Sequence, residues 1–146
     1  MKKIICMGFI LLMAIFSAVP AYAAIDENNI STQGSGTISP LFTYILQLNV
    51  GLNIDSSGKA ACMGDVSLYS GTNRVDLTVQ LQKFNGSSWS AIKTWTSSGV
   101  GMPGTTILQN YYVVSGTYRV SATAKVYNSS GTLLETVTAY SPTSTY

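Results

Sequence analysis

The sequence predicts an all-β fold: an immunoglobulin-like antiparallel β-sandwich of about seven strands, with a small closed β-barrel as the structural alternative. Three observations carry this. Clusters of turn-forming residues recur at fairly regular spacing, at Asp55–Gly58, Ser70–Asn73, Asn85–Ser88, Ser97–Gly99, Ser115–Gly116 and Asn128–Gly131. They supply residues that tolerate positive φ or hydrogen-bond their own backbone. The segments between them are rich in Val, Ile, Thr, Tyr and Leu, and none holds a 3.6-residue period. Within several of them oily and polar residues alternate, which in a strand sends successive side chains to opposite faces of the sheet.

The chain opens with Lys2 and Lys3, an apolar run from Ile4 to Val19, Pro20 and then Ala21-Tyr22-Ala23. A charged start, an apolar stretch and an Ala-x-Ala site predict an export signal over residues 1–23, cleaved near Ala23. The run is shorter than the roughly 20 apolar residues a membrane-spanning helix needs, and a proline ends it. A secreted, extracellular product without stable membrane insertion is therefore expected. The following stretch, residues 24–38, is polar and aperiodic through Gly36 and reads as a flexible leader. Residues 39–146 form one domain, since a chain of this length holds one core.

Strands are expected at 42–54, 59–69, 74–84, 88–96, 106–114, 117–127 and 132–140. In the first, parity buries Leu46, Leu48, Val50, Leu52 and Ile54 and turns Gln47, Asn49 and Asn53 outward. The second buries Ala60, Cys62, Gly64, Val66 and Leu68, small residues that let a facing sheet approach closely. The third buries Val75, Leu77, Val79 and Leu81. The sixth buries Tyr118, Val120, Ala122, Ala124 and Val126, with Arg119, Ser121, Thr123 and Lys125 on the other side. Tyr118 stands at the start of that strand, where sandwich domains place a tyrosine whose hydroxyl bonds back to upstream backbone. Two residues on, Val120 occupies the position of the second cysteine of antibody domains, so an inter-sheet disulfide is not expected. In the last strand, burying an unpaired carboxylate costs several kcal/mol. Leu134, Thr136, Thr138 and Tyr140 are accordingly expected inside, and Glu135 outside opposite Lys125.

Composition narrows the chemistry. The sequence carries eight basic and six acidic residues; without Lys2 and Lys3, six basic residues face six acidic ones. A neutral chain so sparse in charge offers no electrostatic handle for nucleic acid or anionic lipid. There is no histidine, which removes the commonest general base and a common metal ligand. The carboxylates fall on separate strands, turns or the leader, and no phosphate-cradling glycine loop or EF-hand run occurs. No enzymatic activity, metal or cofactor is expected. Once Cys6 leaves with the signal, Cys62 stands alone, either as a small core residue or as a thiol for an intermolecular bond.

Aromatic residues are the remaining candidates for binding. Tyr69, Trp89, Trp95 and Tyr127 form the candidate surface, because outward aromatics bury much area at low entropic cost. In a small sandwich a tryptophan more often fills the core and surface tyrosines cover neighbouring strands. The stretch from Ser97 to Thr106, "SSGVGMPGTT", reads as the most irregular of the domain, and loops carry function disproportionately. Asn85-Gly-Ser87 and Asn128-Ser-Ser130 match the glycosylation acceptor pattern within turns.

The motifs "SPLFTYI" at Ser39–Ile45, "SSGKA" at Ser56–Ala60, "GTYRV" at Gly116–Val120 and "AYSPTSTY" at Ala139–Tyr146 together resemble a domain-of-unknown-function family of small Sec-exported proteins from Gram-positive bacteria of the clostridial and bacillar groups. The resemblance implies export and no established activity, and it supplies no site residues. The expected function is that of a secreted, non-catalytic β-sandwich binding a protein or glycan at or outside the cell envelope. Two other classes stand beside it: a self-associating structural protein, with "SPTSTY" as the segment available for strand addition, and a secreted antagonistic, toxin-like protein.

Overall fold

The computed structural model describes residues 34–38 and 42–146; the export signal over 1–23 and the leader up to residue 33 lie outside the described residues. Among the described residues nine strands follow one another: β1 (Gly34–Ile38), β2 (Ile45–Ile54), β3 (Lys59–Leu68), β4 (Arg74–Phe84), β5 (Trp89–Val100), β6 (Thr105–Tyr112), β7 (Thr117–Tyr127), β8 (Leu133–Tyr140) and β9 (Ser144–Thr145). They form two antiparallel sheets, one in the order β1-β2-β3-β6 and the other in the order β5-β4-β7-β8, with β9 also paired to β7. The fold is thus an open β-sandwich and not a closed barrel. The described chain is longer in strand than expected at its start. Gly34–Ile38, read from sequence as leader, pairs antiparallel with Leu48–Leu52 of β2, because a polar stretch without a hydrophobic face can still satisfy its backbone against an open edge.

The core lies between the sheets. From the first sheet it takes Leu48, Val50, Ala60, Cys62, Val66 and Leu68, and from the second Val75, Leu77, Val79, Leu81, Val120 and Val126, all of them fully buried. Gly64 explains how closely the layers meet. A Cβ there would run into the Val79 Cγ2 methyl and lie 3.5 Å from the Ala122 Cβ, both on the opposite sheet.

Two of the inner faces expected from alternation are changed in the structure, and a bulge accounts for each. In β2 the pairing passes from Ile45 opposite Leu68 to Gln47 opposite Ser67, so Leu46 is an extra residue turned outward and Ile45 takes its place in the core. In β8 Val126 faces Glu135 while Tyr127 faces Leu133, leaving Leu134 as the extra residue. Beyond the bulge the odd residues turn inward, which reverses the expected register: Ala139 is buried, Val137 and Leu134 pack against the core, and Tyr140 is exposed. Lys125 faces Thr136, not Glu135. The carboxylate is tolerated on the inner side because it is not unpaired. Glu135 accepts backbone N–H bonds from Thr43 (3.2 Å), Tyr44 (3.0 Å) and Ile45 (3.3 Å), at the point where β2 begins.

The stretch from Ser97 to Thr106 is also more regular than expected. β5 runs to Val100 and β6 begins at Thr105, so only Gly101–Gly104 turns. Glycines permit this tight crossing from one sheet to the other: a Cβ on Gly99 would collide with the Gly104 carbonyl, and one on Gly104 with the Val66 carbonyl. The Ser97 and Thr105 hydroxyls share a hydrogen bond of 2.6 Å across the crossing.

Candidate functional site

Three of the turns that separate the strands are each built by one side chain, that of Asp55, Asn85 or Asn128. In "DSSGK" the Asp55 carboxylate accepts from the Ser57 N–H (2.8 Å), the Ser57 hydroxyl (2.6 Å) and the Lys59 N–H (3.0 Å). In "NSSGT" the Asn128 side-chain oxygen accepts from the corresponding Ser130 N–H (3.1 Å), Ser130 hydroxyl (3.0 Å) and Thr132 N–H (2.8 Å). One turn is therefore built twice, once around a charge and once around an amide. The three bonds hold the Asp55 carboxyl below its ordinary value of 3.8, the Ser57 hydroxyl bond contributing most.

The described carboxylates have separate partners. Asp65 takes the Thr106 hydroxyl at 2.5 Å and, at 3.4 Å, the Asn49 amide. Asp76 pairs with Arg74 at 3.2 Å and takes the Ser98 hydroxyl at 2.8 Å. Asp55 holds its turn and Glu135 the start of β2. Among the described residues no three metal-ligating side chains cluster, and no helix is long and apolar enough to cross a membrane.

Cys62 is fully buried and carries a free thiol. Burial pushes that thiol up to about 12, so at neutral pH it is protonated and unreactive. Tyr118 is buried, and its hydroxyl donates to the Val114 carbonyl at 2.6 Å. This bond closes the corner between β6 and β7, and the Lys83 ammonium covers the Tyr118 ring at 5.5 Å while bonding the Ser115 carbonyl at 3.1 Å. Val120 is buried in the same core. Its N–H donates to the Ser141 hydroxyl at 2.9 Å, where β8 breaks before β9.

The four aromatic candidates do not converge. Trp95 faces the core from β5, opposite Val79. Tyr127 lies under the Arg74 guanidinium, 4.7 Å from its ring centre. Tyr69 is exposed past the end of β3, on the other sheet. Trp89 alone belongs to a cluster, and that cluster occupies the outer face of the sheet β5-β4-β7-β8. The Arg119 guanidinium lies 4.4 Å from the Trp89 ring and 4.2 Å from the Tyr140 ring, with one aromatic on each side of it. Phe84 meets Trp89 with ring centres 5.2 Å apart. The Arg119 Nε–H donates to Gln82 Oε1 at 2.8 Å, which fixes the guanidinium along the sheet.

Strand register assembles this ladder. Phe84 lies opposite Trp89 and Gln82 opposite Arg119, while Tyr140, opposite Ser121, is the diagonal neighbour of Arg119. Diagonal neighbours on one face are within reach of aromatic and long side chains. Each cation–aromatic contact contributes about 0.5–1 kcal/mol at such partly exposed positions. Sequence reasoning places Arg119 outward but does not join it to Phe84 or Tyr140. The bulge at Leu134 turns Tyr140 to the outer face, and Phe84 joins the group by lying opposite Trp89.

Fold and site together define an immunoglobulin-like β-sandwich that carries a cation–aromatic ladder on one outer face. No family model matches the chain, and a search of curated proteins finds no match to it.

Proposed function

We propose that this chain is an exported, non-catalytic recognition protein that works by contact with a protein or glycan at or outside the cell envelope, through the outer face of the β5-β4-β7-β8 sheet. The observation that carries this reading is the Phe84–Trp89–Arg119–Tyr140 ladder. Trp, Tyr and Arg are the residues that dominate contact energies at interfaces. Here they stand exposed or half-exposed on a rigid sheet, already ordered by one another. Pre-ordered side chains lose less freedom when a partner arrives. The reading is also supported by the absence of histidine, by carboxylates committed to separate structural bonds, and by the export-like opening of the sequence.

The test is binding by the intact chain and by Trp89→Ala and Tyr140→Ala variants, on a glycan array and against immobilised envelope fractions. Loss of either ring is expected to weaken binding by about tenfold or more, as truncation of an interface hot spot does. Binding that is the same in all three chains would remove the ladder as the recognition surface, and an array without signal would remove the glycan half of the proposal.

A further inference from the structure

Among the described residues four strands, β1, β6, β5 and β8, form the edges of the two sheets, and the last three have described side chains. β5 has an extra residue at Ile92, between Lys93 opposite Leu81 and Ala91 opposite Gln82, and Lys93 is exposed on it. β8 has the bulge at Leu134, carries Glu135 and stops before Pro142. Bulges, charges and prolines are the devices that keep an open strand from pairing with another chain. β6, "TTILQNYY", has none of them. It pairs with β3 without a register shift, contains no charge and no proline, and has no partner among the described residues on its other side.

The direction of its free backbone groups follows from one bond. The Val113 N–H donates to the Gly58 carbonyl at 2.8 Å, which makes that position a hydrogen-bonded pair of the β3–β6 ladder. Such pairs alternate along an antiparallel ladder. Residues 107, 109 and 111 therefore point their backbone groups at β3, and Thr106, Leu108, Asn110 and Tyr112 point theirs at the open edge. Leu108 and Tyr112 are the exposed large apolar side chains of the strand, at 67% and 70%.

We infer that β6 pairs with β6 of a second copy of this chain, antiparallel about a twofold axis at Gln109, joining two sandwiches through one continuous sheet. In that register Thr106 faces the partner's Tyr112 and Leu108 faces the partner's Asn110. All four residues with open backbone groups then meet one another, and both the N–H and the C=O of each are satisfied. No like charges are opposed, because the strand has none. A twofold interface requires a self-complementary surface, and this uncharged strand meets that condition where β5, with Lys93, and β8, with Glu135, do not. "SPTSTY", expected from sequence to be the segment for strand addition, is occupied within the chain: β9 pairs with β7, and Gly116 and Tyr146 exchange N–H···O bonds of 2.9 and 3.0 Å.

The test uses residues 24–146, which contain the whole compact unit Thr32–Tyr146. Sedimentation across a concentration series should show a monomer–dimer equilibrium, and hydrogen exchange should show the amides of Thr106, Leu108, Asn110 and Tyr112 gaining protection as dimer forms. Leu108→Lys with Asn110→Lys sets lysine opposite lysine twice in the dimer and should weaken it about tenfold or more. Leu108→Lys with Asn110→Glu sets opposite charges there and should restore it. Both positions are exposed, so the sandwich is expected to keep its circular-dichroism spectrum. A chain that stays monomeric at every concentration, a dimer indifferent to the paired lysines, or protection that arises away from β6 would each overturn the inference. If the lysine variant does not fold, exchange in the unaltered chain decides by itself.

Discussion

Glu135 shows how one side chain sets the register of a strand. A carboxylate on the inner side of a sheet is costly only when its lone pairs are unmet, and Glu135 meets three N–H groups at the start of β2. Glu135→Ala is expected to lower unfolding free energy by about 1–3 kcal/mol in urea titrations, since it leaves partly buried donors without an acceptor. Glu135→Gln, which keeps one oxygen, should cost less. An equal loss in both would show that charge, and not hydrogen bonding, is what matters. Asp55 gives a prediction in pH. Its folded value is depressed, so its contribution to stability is present above the unfolded value and is lost as pH falls through the folded one. Asp55→Asn should keep the turn, because Asn128 builds the same one with an amide. The stability difference between the two chains should then be constant at neutral pH and change only below about pH 4, near the unfolded aspartate value. A difference that changes above that range would contradict the assignment.

At the level of the elements, the strands and most of their inner faces were legible in the sequence. The alternation in β3, β4 and β7 names the buried residues one by one, because a two-sided sheet leaves each side chain only two directions. Bulges were not legible. An extra residue at Leu46 or Leu134 leaves the composition of its strand unchanged, and its effect appears only when the partner strand is known. The same limit hid the ladder: Trp89 was a candidate by residue type, but its neighbours Arg119 and Tyr140 come from strands far along the chain, one of them displaced by a bulge. Tyr69, Trp95 and Tyr127 share the residue type but not the place, and the fold sends them to different surroundings. Sheet-to-sheet contact was readable at Gly64, where small residues in β3 announced close approach. Gly64→Ala should therefore destabilise the sandwich by about 1–3 kcal/mol through overpacking against Val79, measured as a lower denaturation midpoint with the slope unchanged. A neutral effect would mean that the facing sheets yield more readily than two packed layers should.

For the whole molecule, charge is sparse and the sandwich is held by its core, its ladders of backbone bonds and turns that bind themselves. What distinguishes its surface is where aromatic and uncharged residues are left in reach of a partner, on the outer face of one sheet and along the edge of the other. A Trp95→Phe chain would keep Trp89 as its sole tryptophan, since the sequence has two, and its fluorescence would report directly from the ladder. Contact at this face predicts that adding a bound envelope protein or glycan shifts or quenches Trp89 emission in proportion to binding. Emission that stays constant while binding saturates would contradict the claim that the ladder is where this protein meets its partner.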